Sequence, residues 1–247
     1  MRFKTRAYQK FRLWLPKFYF ERHLADLLLE RIEPYMYYDR WGSLPFNGQA
    51  QRLKTISALA RAFEGTNVIE TGTFMGSSTP YLASLVSSKT FTIEIDAHSA
   101  QLAQKRFTKN HSNLDIELIL GDSAIEIEKV LTKLDSSSTR IIAYLDAHWL
   151  DAIPTSAELL ALCEWGGPWL AIIDDFYVET DSGFGFDQYE NTIIGNNLVP
   201  KNFELRTYVP SQNSKFETGR KKGTGYVFNP KAWTLISPDS FNDLRLL

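Results

Sequence analysis

Apolar positions along the chain fall into two rhythms. Five short runs are apolar at nearly every position: Asn67–Glu70, Thr90–Ile95, Ile116–Leu120, Arg140–Asp146 and Trp169–Asp174. Runs without polar alternation predict strands covered on both faces, and hence a parallel sheet. Between them, at about 77–86, 98–109, 123–134 and 155–164, apolar residues return every three or four positions, which predicts helices. Strand–helix alternation of this kind predicts a doubly wound α/β fold. Two further runs, near 203–209 and 224–229, predict an antiparallel hairpin at one edge. The expected sheet is therefore seven-stranded and mostly parallel. Upstream, Phe11, Trp14, Leu15 and Phe18 share a helical spacing, as do Leu24, Leu27, Leu28 and Ile32. These N-terminal helices are followed by a loop at Trp41–Gly48 and a third helix over 49–63.

Composition narrows the class. The chain has 247 residues, a formal net charge of −2 and 44% hydrophobic residues, as in ordinary globular domains. A single cysteine, Cys163, excludes a disulfide framework and a multi-cysteine zinc site. No apolar run approaches the roughly 20 residues needed to span a bilayer.

The small net charge hides an asymmetry. Residues 1–22 carry seven basic side chains against Glu21 alone, whereas the remainder holds 20 basic and 28 acidic residues. The basic segment is interleaved with aromatics (Phe3, Tyr8, Phe11, Trp14, Phe18, Tyr19, Phe20). It lacks the uninterrupted apolar stretch of a secretory signal, so a cytoplasmic chain is expected. Basic residues among aromatics admit contact with an anionic membrane surface. The helical spacing favours instead a helix that packs its aromatic side on the core; nucleic acid is not an expected partner. The expected division is a basic, aromatic helical extension over 1–45 and the α/β body over 46–247.

In doubly wound folds ligands bind at the carboxyl ends of the strands, so the residues that close each apolar run carry the functional reading. The first run closes in Glu70-Thr71-Gly72-Thr73-Phe74-Met75-Gly76-Ser77-Ser78. Gly72 permits a tight turn, Gly76 lets the next helix lie close, and a helix start offers N–H groups to an anion. The spacing E-x-G-x-x-x-G-x-S is not the dinucleotide fingerprint G-x-G-x-x-G. It resembles motif I of class I S-adenosylmethionine-dependent methyltransferases, in the O-methyltransferase form that lacks the middle glycine; Phe74 stands there.

The resemblance implies a Rossmann-like fold and a loop (Glu70, Gly72, Thr73, Gly76, Ser77) that holds the methionine part of S-adenosylmethionine. It implies that Glu94, closing the second run, accepts hydrogen bonds from the ribose, with Asp96 as a helix N-cap. It places Asp122 and Ser123, closing the third run, at the adenine. The alternative for Asp122 is an ordinary N-cap.

The fourth run closes in Asp146-Ala147-His148-Trp149 and the fifth in Asp174-Asp175. If the two strands are neighbours, three carboxylates converge, and they repel unless a proton or a cation intervenes. Oxygen ligands suit Mg²⁺, Ca²⁺ or Mn²⁺. The set resembles the metal site of cation-dependent O-methyltransferases of the catechol and caffeoyl-CoA kind. The Asp-Asp pair is that of the macrocin type. The lysine those enzymes carry near this position is absent, with Trp149 or Leu150 in its place. His148 is then the nearest candidate base, or else a residue that orients Asp146. Solvated strand ends and helix caps are the plain alternative for the acids.

Two later segments complete the picture. Tyr177–Tyr189, rich in glycine, aspartate and aromatics, suits a lid over an acceptor pocket. Glu217–Gly223 is a basic loop suited to an anionic small-molecule acceptor, or is simply a solvated turn. The expected activity is methyl transfer from S-adenosylmethionine to a hydroxyl of a small molecule, with Asp146 and His148 catalytic and a divalent cation, Mg²⁺ among the candidates, on Asp146, Asp174 and Asp175. The alternatives are a metal-independent N- or O-methyltransferase and a non-catalytic S-adenosylmethionine-binding protein recruited by its basic N-terminus. A homo-oligomer is left open.

Overall fold

The computed structural model describes residues 44–148 and 153–247. The N-terminal helices and the basic segment expected before residue 44, and Trp149 and Leu150, lie outside the described residues. Pro45–Gly48 forms a short 3₁₀ turn that feeds helix α1, Ala50–Phe63. Strands and helices then alternate as the apolar pattern predicts: β1 (Asn67–Thr71), α2 (Thr79–Ala83), β2 (Thr90–Glu94), α3 (Ala97–Asn110), β3 (Ile116–Leu120), α4 (Ser123–Leu131), β4 (Ile141–Leu145), α5 (Thr155–Trp165) and β5 (Trp169–Ile173). The remainder holds a two-stranded ribbon, β6 (Gln188–Tyr189) and β7 (Thr192–Ile193), then β8 (Arg206–Pro210), β9 (Gly225–Phe228), α6 (Pro230–Ile236) and β10 (Leu244–Leu246).

The main sheet runs β10-β8-β9-β5-β4-β1-β2-β3. From β3 to β5 all neighbours are parallel. Strand β9 is antiparallel to both β5 and β8, and β10 is antiparallel to β8. The expected hairpin exists, but it does not form the edge: β9 inserts beside β5, and β10 closes that side as an eighth strand. Three residues are too short a run to show alternation, which is why β10 leaves no pattern in the sequence.

Strands β1, β2, β4 and β5 are buried at every position. Their side chains alternate between two apolar layers. One face carries Ile69, Ile93, Ala143, Leu145, Ala171 and Ile173 and packs under α4 and α5 residues such as Ile127, Leu159 and Leu162. The other carries Val68, Ile142, Tyr144, Leu170 and Ile172 and packs under Ile56, Leu59 and Phe63 of α1 and Ala232 and Ile236 of α6. This two-sided cover explains why the runs read as continuous apolar segments. The order of β1 and β4 reverses the chain's direction of travel across the sheet, so a crevice opens at their carboxyl ends. Among the described residues, no helix is long and apolar enough to cross a membrane.

Candidate functional site

The loop after β1 lies flat against its neighbours because two glycines allow it. Gly72 has φ +81°, and a Cβ there would stand 2.2 Å from the Asp146 carbonyl oxygen. Gly76 has φ +68°, and its Cβ would meet the Phe107 ring of α3 at 2.5 Å. Both positions therefore exclude a side chain twice over, by dihedral and by space. Phe74 between them also has positive φ, and its ring is exposed. The Glu70 side chain points beneath the loop: its Oε2 accepts hydrogen bonds from the hydroxyls of Thr79 (2.5 Å) and Thr92 (2.6 Å). Burial raises its pKa to about 7 against the pull of those two bonds. Thr73 is buried with its hydroxyl 2.6 Å from that of Thr92, and Ser77 is half-buried just before α2. The helix expected over 77–86 is only five residues long. Ser84 ends it: its N–H bonds the Pro80 and Tyr81 carbonyls, and its hydroxyl takes the Tyr81 carbonyl as well.

At the end of β2, Glu94 accepts from the Asp96 N–H on Oε1 (2.8 Å) and from the Phe74 N–H on Oε2 (2.6 Å). Burial raises its pKa, with Asp96 adding to the effect. The Ile95 N–H is a third backbone donor to this carboxylate, which has about four acceptor sites in all. Asp96 caps α3 through the Ser99 N–H, the plain role expected of it. Asp122 likewise caps α4, through the Ala124 N–H at 3.0 Å, and Ser123 beside it is buried.

Strands β4 and β5 are neighbours, with Leu145 opposite Ile173, so their closing acids leave the sheet side by side. The acids then part company. Asp174 turns to the α1 face, where both its oxygens are engaged. Oδ1 meets the Arg52 guanidinium at 2.5 Å and accepts the Asp175 N–H, while Oδ2 accepts the Tyr144 hydroxyl at 2.7 Å. Burial alone would raise its pKa; Arg52 and the Tyr144 bond outweigh it and hold it low. Asp175 has φ +52°, a left-handed conformation that aspartate tolerates better than most residues. It sends its side chain the other way, 2.7 Å from the Lys222 ammonium. The same ammonium stands 2.8 Å from Asp187. Tyr189 donates its hydroxyl to Asp187 and to the His148 carbonyl.

His148 is 1% exposed at its side chain, with Nε2 3.8 Å from Asp146 and 3.9 Å from Asp175. Neither ring nitrogen has a hydrogen-bond partner among the described residues. Asp146 has 37% of its side chain open to solvent, about as much as Asp187 at 36% and more than Asp175 at 15%. Burial of its carboxyl, then the charges of Asp174 and Asp175, push its pKa well up.

The cation expected on Asp146, Asp174 and Asp175 finds a different donor set. Asp174 is committed to Arg52 and Tyr144. Among the described residues, the groups whose ligand atoms lie within 4.8 Å of one another are His148, Asp175 and Asp187. Two of those already share the ammonium of Lys222. These residues do not fit the all-oxygen centre that the resemblance implies.

Several residues of this site close no apolar run. Arg52 lies mid-helix in α1; Lys222 and Asp187 come from the basic loop and from the segment read as a lid. Glu158 of α5 is fully buried, and among the described residues neither of its carboxyl oxygens has a well-formed hydrogen bond. Burial raises its pKa to about 7, with the nearby hydroxyls of Ser123 and Thr71 pulling the other way. Its position is the one signal it offers, since it falls one residue before Leu159 and four before Leu162 on the buried side of α5.

No family model matches the chain, and no curated protein sequence does. Solved structures do match. The O-methyltransferase TomG from Streptomyces achromogenes, in complex with SAM, superposes at a TM-score of 0.53 and 16% identity, over 81% of this chain and 85% of that one. The O-methyltransferase from Bacillus cereus, in complex with SAH, gives 0.52 and 15%, over 87% and 91%. Against MtNAS, at a TM-score of 0.47, the chain spans 59% of that protein's length. At 15–16% identity the two O-methyltransferase structures are likenesses of architecture. The chain has the fold of the class I S-adenosylmethionine-dependent methyltransferases.

Proposed function

We propose that the protein transfers the methyl group of S-adenosylmethionine to a hydroxyl oxygen of a small molecule. The observation that carries this reading is the meeting of the Gly72 turn with the Asp146 backbone. It sets a glycine loop of the cofactor-binding kind directly beside the one partly open carboxylate of an acidic strand end. The solved O-methyltransferases of the same fold support it.

In the proposed complex the loop from Gly72 to Ser77 lies along the methionine part, and the remaining acceptor capacity of Glu94 takes a ribose hydroxyl. Asp122 and Ser123 border the adenine. An acceptor hydroxyl enters beside Asp146. Its oxygen lone pair forms the new C–O bond, the S–CH₃ bond breaks, and that electron pair stays on sulfur, which becomes a neutral thioether. The hydroxyl proton passes to Asp146, whose raised proton affinity suits a base. His148 is buried behind Asp146 and Asp175, with Nε2 3.8 and 3.9 Å from their carboxylates. Alignment of donor and acceptor and exclusion of water supply much of the acceleration in such a displacement. The glycine- and aromatic-rich segment 177–189 suits a cover over the acceptor, and the basic residues of the 217–223 loop favour one that carries negative charge. The divalent cation that the resemblance implies has no part in these steps.

Calorimetric titration of the whole protein with S-adenosylhomocysteine tests the reading. Saturable binding at one site per chain is the expected result. A flat titration, at concentrations up to the millimolar range, would overturn it.

A further inference from the structure

Lys222 differs from a surface lysine in every respect the structure shows. Its backbone is fixed on both sides: the Lys222 N–H donates to Gln49 Oε1 at 2.7 Å, and its carbonyl accepts from Gln49 Nε2 at 2.9 Å and from the Arg52 guanidinium at 2.6 Å. The next residue, Gly223, has no room for a side chain, because a Cβ would stand 2.0 Å from the Phe176 carbonyl. The side chain runs past Gly185, whose own Cβ would lie 3.2 Å from Lys222 Cδ. Its ammonium ends between Asp175 and Asp187, at 2.7 and 2.8 Å, with 17% of the side chain exposed. Those two carboxylates come from different segments, one after β5 and one before β6. Without a positive charge between them, two partly buried carboxylates this close repel.

We propose that the Lys222 ammonium is the resident cation of this site and stands where a divalent metal would otherwise bind, between Asp175 and Asp187 beside His148. The positive charge these two acids need comes from the chain itself, through Lys222. A metal ion and this ammonium exclude one another. An ion among His148, Asp175 and Asp187 would have to displace the ammonium from both acids and then sit within a few ångströms of it. The desolvated lysine stem, held by a clamped backbone, has little freedom to leave. Methyl transfer at this site, where it rests on the reading above, is accordingly independent of divalent metal.

Manganese binding measures the exclusion directly, without turnover. The full-length protein is titrated with Mn²⁺ and free ion is followed by electron paramagnetic resonance, for wild type and for Lys222→Met. Wild type is expected to bind no stoichiometric Mn²⁺ below about 1 mM. Lys222→Met is expected to bind one Mn²⁺ per chain, at least tenfold more tightly, and to lose it again in Lys222→Met/His148→Ala. Stoichiometric binding to wild type would overturn the proposal. So would a folded Lys222→Met protein, checked by circular dichroism, that gains no binding. Lys222→Gln, closer in polarity, replaces it if the methionine variant fails to fold, and the wild-type titration stands in either case. A failure of S-adenosylhomocysteine to bind would sink the methyltransferase reading and leave this metal result untouched.

Discussion

The Arg52 guanidinium and the Asp174 carboxylate stand 2.5 Å apart with both side chains almost wholly removed from solvent. The pair joins the helix before the first strand to the end of the fifth. Arg52 also holds the carbonyls of Lys222 and Gly223. Removing one member leaves the other charge buried and uncompensated, which typically costs about 3–5 kcal/mol. Arg52→Ala is therefore expected to lower the unfolding free energy by that order in urea denaturation. Arg52→Lys should recover only part of it, because an ammonium cannot reach Asp174 and two carbonyls in one plane.

Gly72→Ala places a methyl against the Asp146 carbonyl and forces a left-handed alanine. The turn must open for either strain to be relieved. The expected result is a loss of about 2 kcal/mol in S-adenosylhomocysteine binding, roughly thirtyfold in Kd, read by calorimetry.

Asp146→Asn keeps the shape of the side chain and removes its basicity. Turnover should fall by about 10²–10⁴, the usual worth of a general base, while the Kd for S-adenosylhomocysteine changes by no more than about threefold. A variant that keeps more than a tenth of the wild-type rate would remove Asp146 from the proton-transfer step.

Glu158 makes stability depend on pH in a known direction. Its carboxyl titrates near 7 in the fold against an ordinary value of 4.5, so the folded state binds more protons between those limits. Stability contributed by the protonated form is complete below about pH 4.5, is lost as pH rises toward 7, and is constant above. Glu158→Gln cannot ionise. Thermal melts should show it more stable than wild type at pH 8, by on the order of 2–3 kcal/mol, with the difference shrinking toward pH 5.

The sheet was legible because both its faces are covered. Ile69, Ile93, Ala143 and Ile172 had to be apolar whichever way they pointed, and the run lengths followed. The acids were legible because they stop those runs. Their partners were not: Arg52 and Glu158 are the charged residues on mostly apolar buried helix faces, and one sequence does not distinguish such a residue from a boundary position. Lys222 lies 47 residues from Asp175, in a loop whose neighbours Arg220 and Lys221 look the same in composition. Only backbone closure by Gln49 and Gly223 singles it out. The roles of Asp146 and Asp174 also could not be separated in advance, since side-chain direction after the last strand residue depends on local dihedrals such as the positive φ of Asp175.

The bonds from Gln49 to Lys222 span 173 positions of the chain, and those from Arg52 to Lys222 and Gly223 span 170 and 171. Contacts that distant form late, after the local strand–helix units have closed their own loops. During synthesis α1 emerges among the first parts of this unit and must wait for its clasp until residues beyond 223 have left the ribosome. Until then Arg52, even with Asp174 in reach, lacks the two carbonyls that complete its hydrogen bonding, and an incompletely bonded buried charge leaves the nascent unit exposed to misassociation.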